Sequence, residues 1–178
     1  MINIKNTTHE LVLSGLLLAS GVILPMIFHI FGMTGPIFLP MHIPVLIGGF
    51  LLSPQLALAL GVLTPFISSL FTGMPVLFPM AVIMAFELGI YGLTASLAVR
   101  KLHLPSVPAL IMAMLSGRIA AGISVALMVQ LFGIKMDPVI YLKGAIITGI
   151  PGIVMQLLII PTLVYAIRSL LKKSSVLV

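Results

Sequence analysis

Acidic side chains are nearly missing from this chain: Glu10, Glu87 and Asp137 are the whole supply in 178 residues. Charged residues of both signs make up 7%, against 61% hydrophobic, so no water-facing surface of ordinary polarity can be built. That excludes a soluble globular protein and points to a membrane one. Cysteine is absent, which removes disulfides, thiol nucleophiles and thiolate metal sites, and leaves the redox compartment open. No Gly-x-Ser-x-Gly elbow, His-Glu-x-x-His pair, phosphate-cradling glycine loop or nucleotide-binding domain occurs. Hydrolysis and ATP-driven work inside this chain are therefore not indicated. Its length fits one domain over residues 1–178.

What remains is long apolar runs with basic ends. The net charge of +6 comes from six lysines and three arginines. Most of them flank apolar segments, as loop anchors do, so nucleic-acid binding is not indicated. Breaks at proline, glycine and charge clusters give six apolar segments. Leu11–Ile30 is long enough to span, since a crossing helix needs about 20 apolar residues. No small-residue cleavage site follows Leu11–Leu24, so this run reads as a retained helix. The stretch Gly32-Met-Thr-Gly-Pro36 leads to His42–Leu52, too short to cross squarely, and Leu56–Phe71 is short and carries Pro65. Val76–Val99 and Pro108–Phe132 are full spans. Val139–Leu171 is the last, with an interruption expected at Gly149-Ile-Pro-Gly152.

The predicted fold is therefore an all-α integral membrane bundle of six transmembrane helices, the second and third short. Irregular backbone at membrane depth is tolerated only where it is buried or lines a cavity. Lys5, Arg100, Lys101, Arg168, Lys172 and Lys173 collect on one side, Lys135 and Lys143 on the other. The positive-inside bias then puts both termini in the cytoplasm and the Gly32–Pro36 loop outside.

Two opposite charges interrupt the apolar runs. Counting about 1.5 Å per residue places Glu87 roughly 20 Å from Arg100, Arg118 about 20 Å from Pro105, and Gln156 about 18 Å from Arg168. Three polar side chains on three helices thus share one depth. Tyr91 lies one turn from Glu87, while Gly152 and Thr148 lie one and two turns outward from Gln156. An ionisable group at bilayer depth costs roughly 2.5–3.5 kcal/mol, so it normally faces inward and has a partner. Two readings stay open. Glu87 and Arg118 form an ion pair that fixes helix packing. Alternatively, Arg118 grips a carboxylate or carbonyl with its planar fork while Glu87 orients it.

His29 and His42 flank the outer loop; their spacing fits no metal motif and no further ligand joins them, so no metal or cofactor is implied. Either they bond the loop backbone or they touch a ligand. In the first helix, Gly15-Leu-Leu-Leu-Ala19 is a small-xxx-small pattern that another helix can approach closely.

Together these features resemble the S components of energy-coupling factor (ECF) vitamin transporters. The wording Pro40-Met-His-Ile-Pro-Val-Leu-Ile-Gly-Gly-Phe50, Gly73-Met-Pro-Val-Leu-Phe-Pro79 and Met84-Ala-Phe-Glu-Leu-Gly-Ile-Tyr-Gly92 is similar to theirs. The resemblance covers nearly the whole chain and is nearest the pantothenate-type members. It implies a substrate-binding subunit in the cell membrane, without enzymatic activity. Gly15 and Ala19 would dock on a transmembrane coupling protein driven by two cytoplasmic ATPase subunits. The ligand would be a small vitamin near the outer side, between helices four to six and under the loop after helix one. Pantothenate is the first expectation, and a neutral or zwitterionic ligand the second because Glu87 can neutralise Arg118. Expected binding residues are Arg118, Glu87, Gln156, His42, Tyr91, Thr148 and His29. The alternative is a self-sufficient secondary transporter or channel gated by the Glu87–Arg118 pair; an intramembrane enzyme would have only Glu87 and the outer histidines to work with.

Overall fold

The computed structural model describes residues 7–32 and 35–174. Lys5 lies outside these residues, and so do the side chains of Arg168, Lys172 and Lys173, which carry most of the expected charge bias. Among the described residues the fold is all helix: α1 (Thr7–Ile30), α2 (Gly35–Phe38), α3 (His42–Leu51), α4 (Pro54–Thr72), α5 (Val82–Arg100), α6 (Ser106–Phe132) and α7 (Pro138–Ser174). Five helices, α1 and α4 to α7, are long and apolar enough to cross a membrane; the sixth segment is the shorter apolar stretch Gly35–Leu51. Helices satisfy their own backbone groups, which is why lipid selects them.

The short α3 is the centre of the bundle. All of its residues except Ile43 are buried, and it packs against α1, α4, α5 and α7. Its ten residues are too short to cross alone, and α2 joins them through the turn Leu39–Met41, where the His42 amide donates to the Leu39 carbonyl at 3.1 Å. The end of α3 is held by α5. Arg100 donates from Nε to the Leu52 carbonyl (3.1 Å) and from Nη2 to the Leu51 carbonyl (3.0 Å), and Ser96 Oγ donates to Leu52 (2.8 Å). The last carbonyls of a helix have no intrahelical donors, so these bonds close a gap the helix itself leaves. Arg100 also meets Glu10 of α1 at 3.3 Å, and the Ser53 amide donates to the other Glu10 oxygen at 3.3 Å. One end of the bundle is thereby tied across α1, α3, α4 and α5.

Two elements run further than the sequence suggested. α4 continues through Pro65 over 19 residues, and α7 passes through Pro151 and Pro161 without interruption over 37. A proline deletes one backbone donor, but a long membrane helix retains its other bonds and neighbouring groups absorb the loss. Irregular backbone is instead found at Phe31–Gly32, at Leu39–Met41 between α2 and α3, and at a kinked π-type turn over Leu77–Ala81, where Phe78 is extended.

Candidate functional site

The polar cluster forms where α3, α5, α6 and α7 meet. On α5, Glu87 and Tyr91 are four residues apart and share a face, and the Tyr91 hydroxyl donates to Glu87 Oε1 at 3.0 Å. Opposite, a methyl on Gly117 would land in the Tyr91 ring and 2.8 Å from the Glu87 carbonyl oxygen. Only a glycine there lets α6 close on α5 with the tyrosine in place. The next residue, Arg118, reaches Glu87 Oε1 with Nη1 at 2.7 Å, a charge-assisted contact.

The fourth member comes from α3. His42, in its first turn, is buried with 3% of its side chain exposed, and its ring meets Tyr91 edge-on at 5.4 Å between centroids. Nε2 stands 3.5 Å from Glu87 Oε1 without making a hydrogen bond. Both His42 ring nitrogens and Arg118 Nη2 are buried without any hydrogen-bond partner. A buried donor left unmade costs about 1–3 kcal/mol, and more when charged. Such groups call for an explanation, and a binding partner is one.

From α7 the backbone of Gly149 passes beside Arg118: a methyl there would lie 3.5 Å from Nη2. One turn on, Gly152 would carry its methyl 2.7 Å from the Ile37 carbonyl oxygen and from Phe38, so α2 lies directly on α7. Buried Gln156 donates from Nε2 to the Leu39 carbonyl at 3.4 Å. Leu39 itself is at φ 51, a left-handed conformation uncommon for leucine, and it is packed inside. Gln156 therefore holds the irregular segment over the cluster through its backbone.

Five of the seven expected residues are thus gathered: Glu87, Arg118, Tyr91 and His42 in direct contact, and Gln156 through Leu39. Thr148 and His29 are exposed and make no hydrogen bond to the cluster. Gly117, Gly149 and Leu39 join the site and were not singled out as parts of it. Leu39 gave no signal, being an ordinary apolar residue. Gly117 could have been found from its position beside Arg118. Tyr141, at the start of α7, lies within electrostatic reach of Glu87 and Arg118.

The charge balance is simple. Glu87 and Arg118 cancel, and what remains without a hydrogen bond is one guanidinium nitrogen and one imidazole, the latter 3.5 Å from Glu87. That set suits an acceptor-bearing organic molecule, and no group of three metal-ligating side chains occurs among the described residues.

The family model for the ECF transporter substrate-specific component matches residues 9–164. The chain belongs to this family. No curated protein and no solved structure matched. ECF S components are multi-pass membrane subunits that bind small substrates and work with a membrane and ATPase module; they are transporter subunits, not enzymes. The match runs from α1 to the α7 helix beyond Gln156, so every residue of the polar cluster lies within it.

Proposed function

We propose that this S component is the high-affinity binding subunit for uptake of a small water-soluble vitamin, with pantothenate as the first candidate. The reading rests on one observation: Arg118 Nη2 and both nitrogens of His42 are buried without a hydrogen-bond partner inside the protein, His42 Nε2 standing 3.5 Å from Glu87. A carboxylate matches a guanidinium nitrogen by charge and geometry. Hydroxyl and amide groups on the same ligand match His42, Tyr91 and Gln156. In this reading Arg118 anchors, Glu87 orients the arginine, and Gln156 keeps the Leu39 segment closed over the ligand.

Transport would be ATP-driven from outside the chain. We place the protein in the cell membrane with both termini inside, working as one unit with a transmembrane coupling protein and two cytoplasmic ATPase subunits. Gly15 and Ala19 are the proposed docking positions. Both are exposed on α1, and a methyl at Gly15 would meet no atom within 4 Å.

A thermal-shift screen of the purified chain against water-soluble vitamins tests the binding role. A ligand at a hundredfold excess over its Kd stabilises by about 2.7 kcal/mol, which is readily resolved. Pantothenate is expected to raise the unfolding temperature. A flat response across the whole panel rejects the reading. Vitamin accumulation in liposomes holding this chain alone would reject the ATP-driven part.

A further inference from the structure

We propose that the site binds a carboxylate together with a proton, and that His42 is where the proton goes. The inference rests on the vitamin-binding reading above and adds to it a rule about charge. It starts from the electrostatic balance in the cluster. Glu87 and Arg118 are 2.7 Å apart and already neutralise one another. A ligand carboxylate on Arg118 Nη2 would therefore bring a second negative charge to a site holding one positive charge. The surroundings make that costly: Glu87 is 2% exposed, His42 3%, and Gln156 1%. An unbalanced ion in such a place is strongly disfavoured unless a counter-charge is supplied.

His42 is the side chain positioned to supply it. Its ring is already against Glu87 and Tyr91, with both nitrogens unsatisfied. A neutral imidazole carries one N–H, whereas the protonated ring carries two. With the proton on, Nε2–H faces Glu87 Oε1 and Nδ1–H is free for the ligand. The proton comes from the medium, and no bond other than this N–H forms or breaks. The loaded site then holds two positive and two negative groups.

The other ionisable groups around α3 do not substitute for it. Glu87 and Tyr91 face His42 from α5, and Arg118 faces it across Glu87 from α6. α7 contributes Tyr141, within electrostatic reach of Glu87 and Arg118, and the non-ionising Gln156, while its Lys143 and Tyr165 are exposed. On α1, His9 and His29 are exposed, and Glu10 is bound to Arg100 at the far end of α3. α4 carries no ionisable residue.

The consequence is a proton-linked affinity. Where the free protein holds His42 neutral and the complex holds it charged, the Kd for an acid rises about tenfold per unit of pH. A neutral ligand shows no such slope.

Calorimetry on the full chain in nanodiscs tests this, at about pH 7.5, in two buffers of different ionisation enthalpy. The probes are acid and neutral pairs: pantothenate with pantothenol, nicotinate with nicotinamide, and biotin with biotin amide. The expected result is uptake of close to one proton with any acid that binds and none with its neutral partner. His42→Gln is expected to remove the uptake and flatten the pH dependence. If that variant does not fold, the two-buffer heats of the parent protein still decide. Pantothenate binding without proton uptake would keep the vitamin reading and overturn this one. Another acid of the set binding with a proton while pantothenate does not bind would keep this inference and remove pantothenate as the candidate vitamin. Binding of the neutral partners alone overturns the coupling, and binding of no probe overturns both.

Discussion

Removing the Arg118 guanidinium would leave Glu87 among apolar helices with only Tyr91 bonded to it and His42 nearby. Breaking a buried pair from one side typically costs about 3–5 kcal/mol, because the surviving charge has no compensation. Arg118→Ala is therefore expected to lose both stability and vitamin binding. The double change Arg118→Ala with Glu87→Gln removes the stranded charge and should recover most of the stability but none of the binding. Unfolding in detergent and calorimetry separate the two. Parent-like affinity in the double variant would mean that the pair only fixes packing. At this scale much was legible beforehand. Counting residues from basic helix ends put Glu87, Arg118 and Gln156 at one depth, and the four-residue spacing put Tyr91 on the Glu87 face. Thr148 and His29 fall outside the cluster: eight residues at 100° each leave Thr148 about 80° around the helix from Gln156, and both side chains are exposed. His42 was placed beside the outer loop, bonding its backbone or touching a ligand; its contact with Glu87 and Tyr91 depends on the left-handed turn at Leu39, which a sequence does not show.

At the scale of elements, two contacts control how the cluster is covered and how α3 is held. The first is α2 on α7. A methyl at Gly152 would press on the Ile37 carbonyl and Phe38 at 2.7 Å, and backbone cannot move aside as a side-chain tip can. Gly152→Ala is expected to lift α2, at a cost of about 1–3 kcal/mol for overpacking. Faster hydrogen exchange over residues 35–41 together with weaker vitamin binding is the signature to look for; unchanged exchange would show that α2 does not rest there. The second is the Arg100 clamp. Arg100→Ala uncovers the Leu51 carbonyl, leaves Leu52 to Ser96 alone, and takes the ion pair from Glu10, which keeps the Ser53 amide. The site is far from the polar cluster, so stability should fall by about 1–3 kcal/mol with the vitamin affinity unchanged, which denaturation and calorimetry on one preparation would show. The elements themselves were foreseeable from apolar run length. The continuity of α7 was not: Gly149-Ile-Pro-Gly152 looks like a break, but lipid leaves a backbone few alternatives to helix, and those glycines serve close approach instead.

For the whole molecule, the distribution of burial sets α1 apart from the rest. Only 6% of its apolar window is buried within the protein, against 56% for the stretch through α5. It touches α3 and α4 along one side, and Glu10 ties its end to Arg100. The other side shows Leu11, Val12, Leu16, Ile23 and Met26 around the small residues Gly15 and Ala19. In lipid there is no hydrophobic drive to pair such a face, but small residues allow close van der Waals approach by another helix. Gly15 meets nothing inside the protein, so a larger residue there leaves the fold undisturbed. Gly15→Leu is accordingly expected to keep its stability within about 0.5 kcal/mol and to bind vitamin as the parent does. It should also fail to copurify with the transmembrane coupling protein and the ATPase subunits. Those three measurements separate the outcomes. Loss of vitamin affinity would mean that α1 communicates with the cluster through α3, and an intact complex would mean that docking uses another face. Loss of the complex alone is the result that places the docking surface on α1, away from the Glu87–Arg118 pair proposed to hold the ligand.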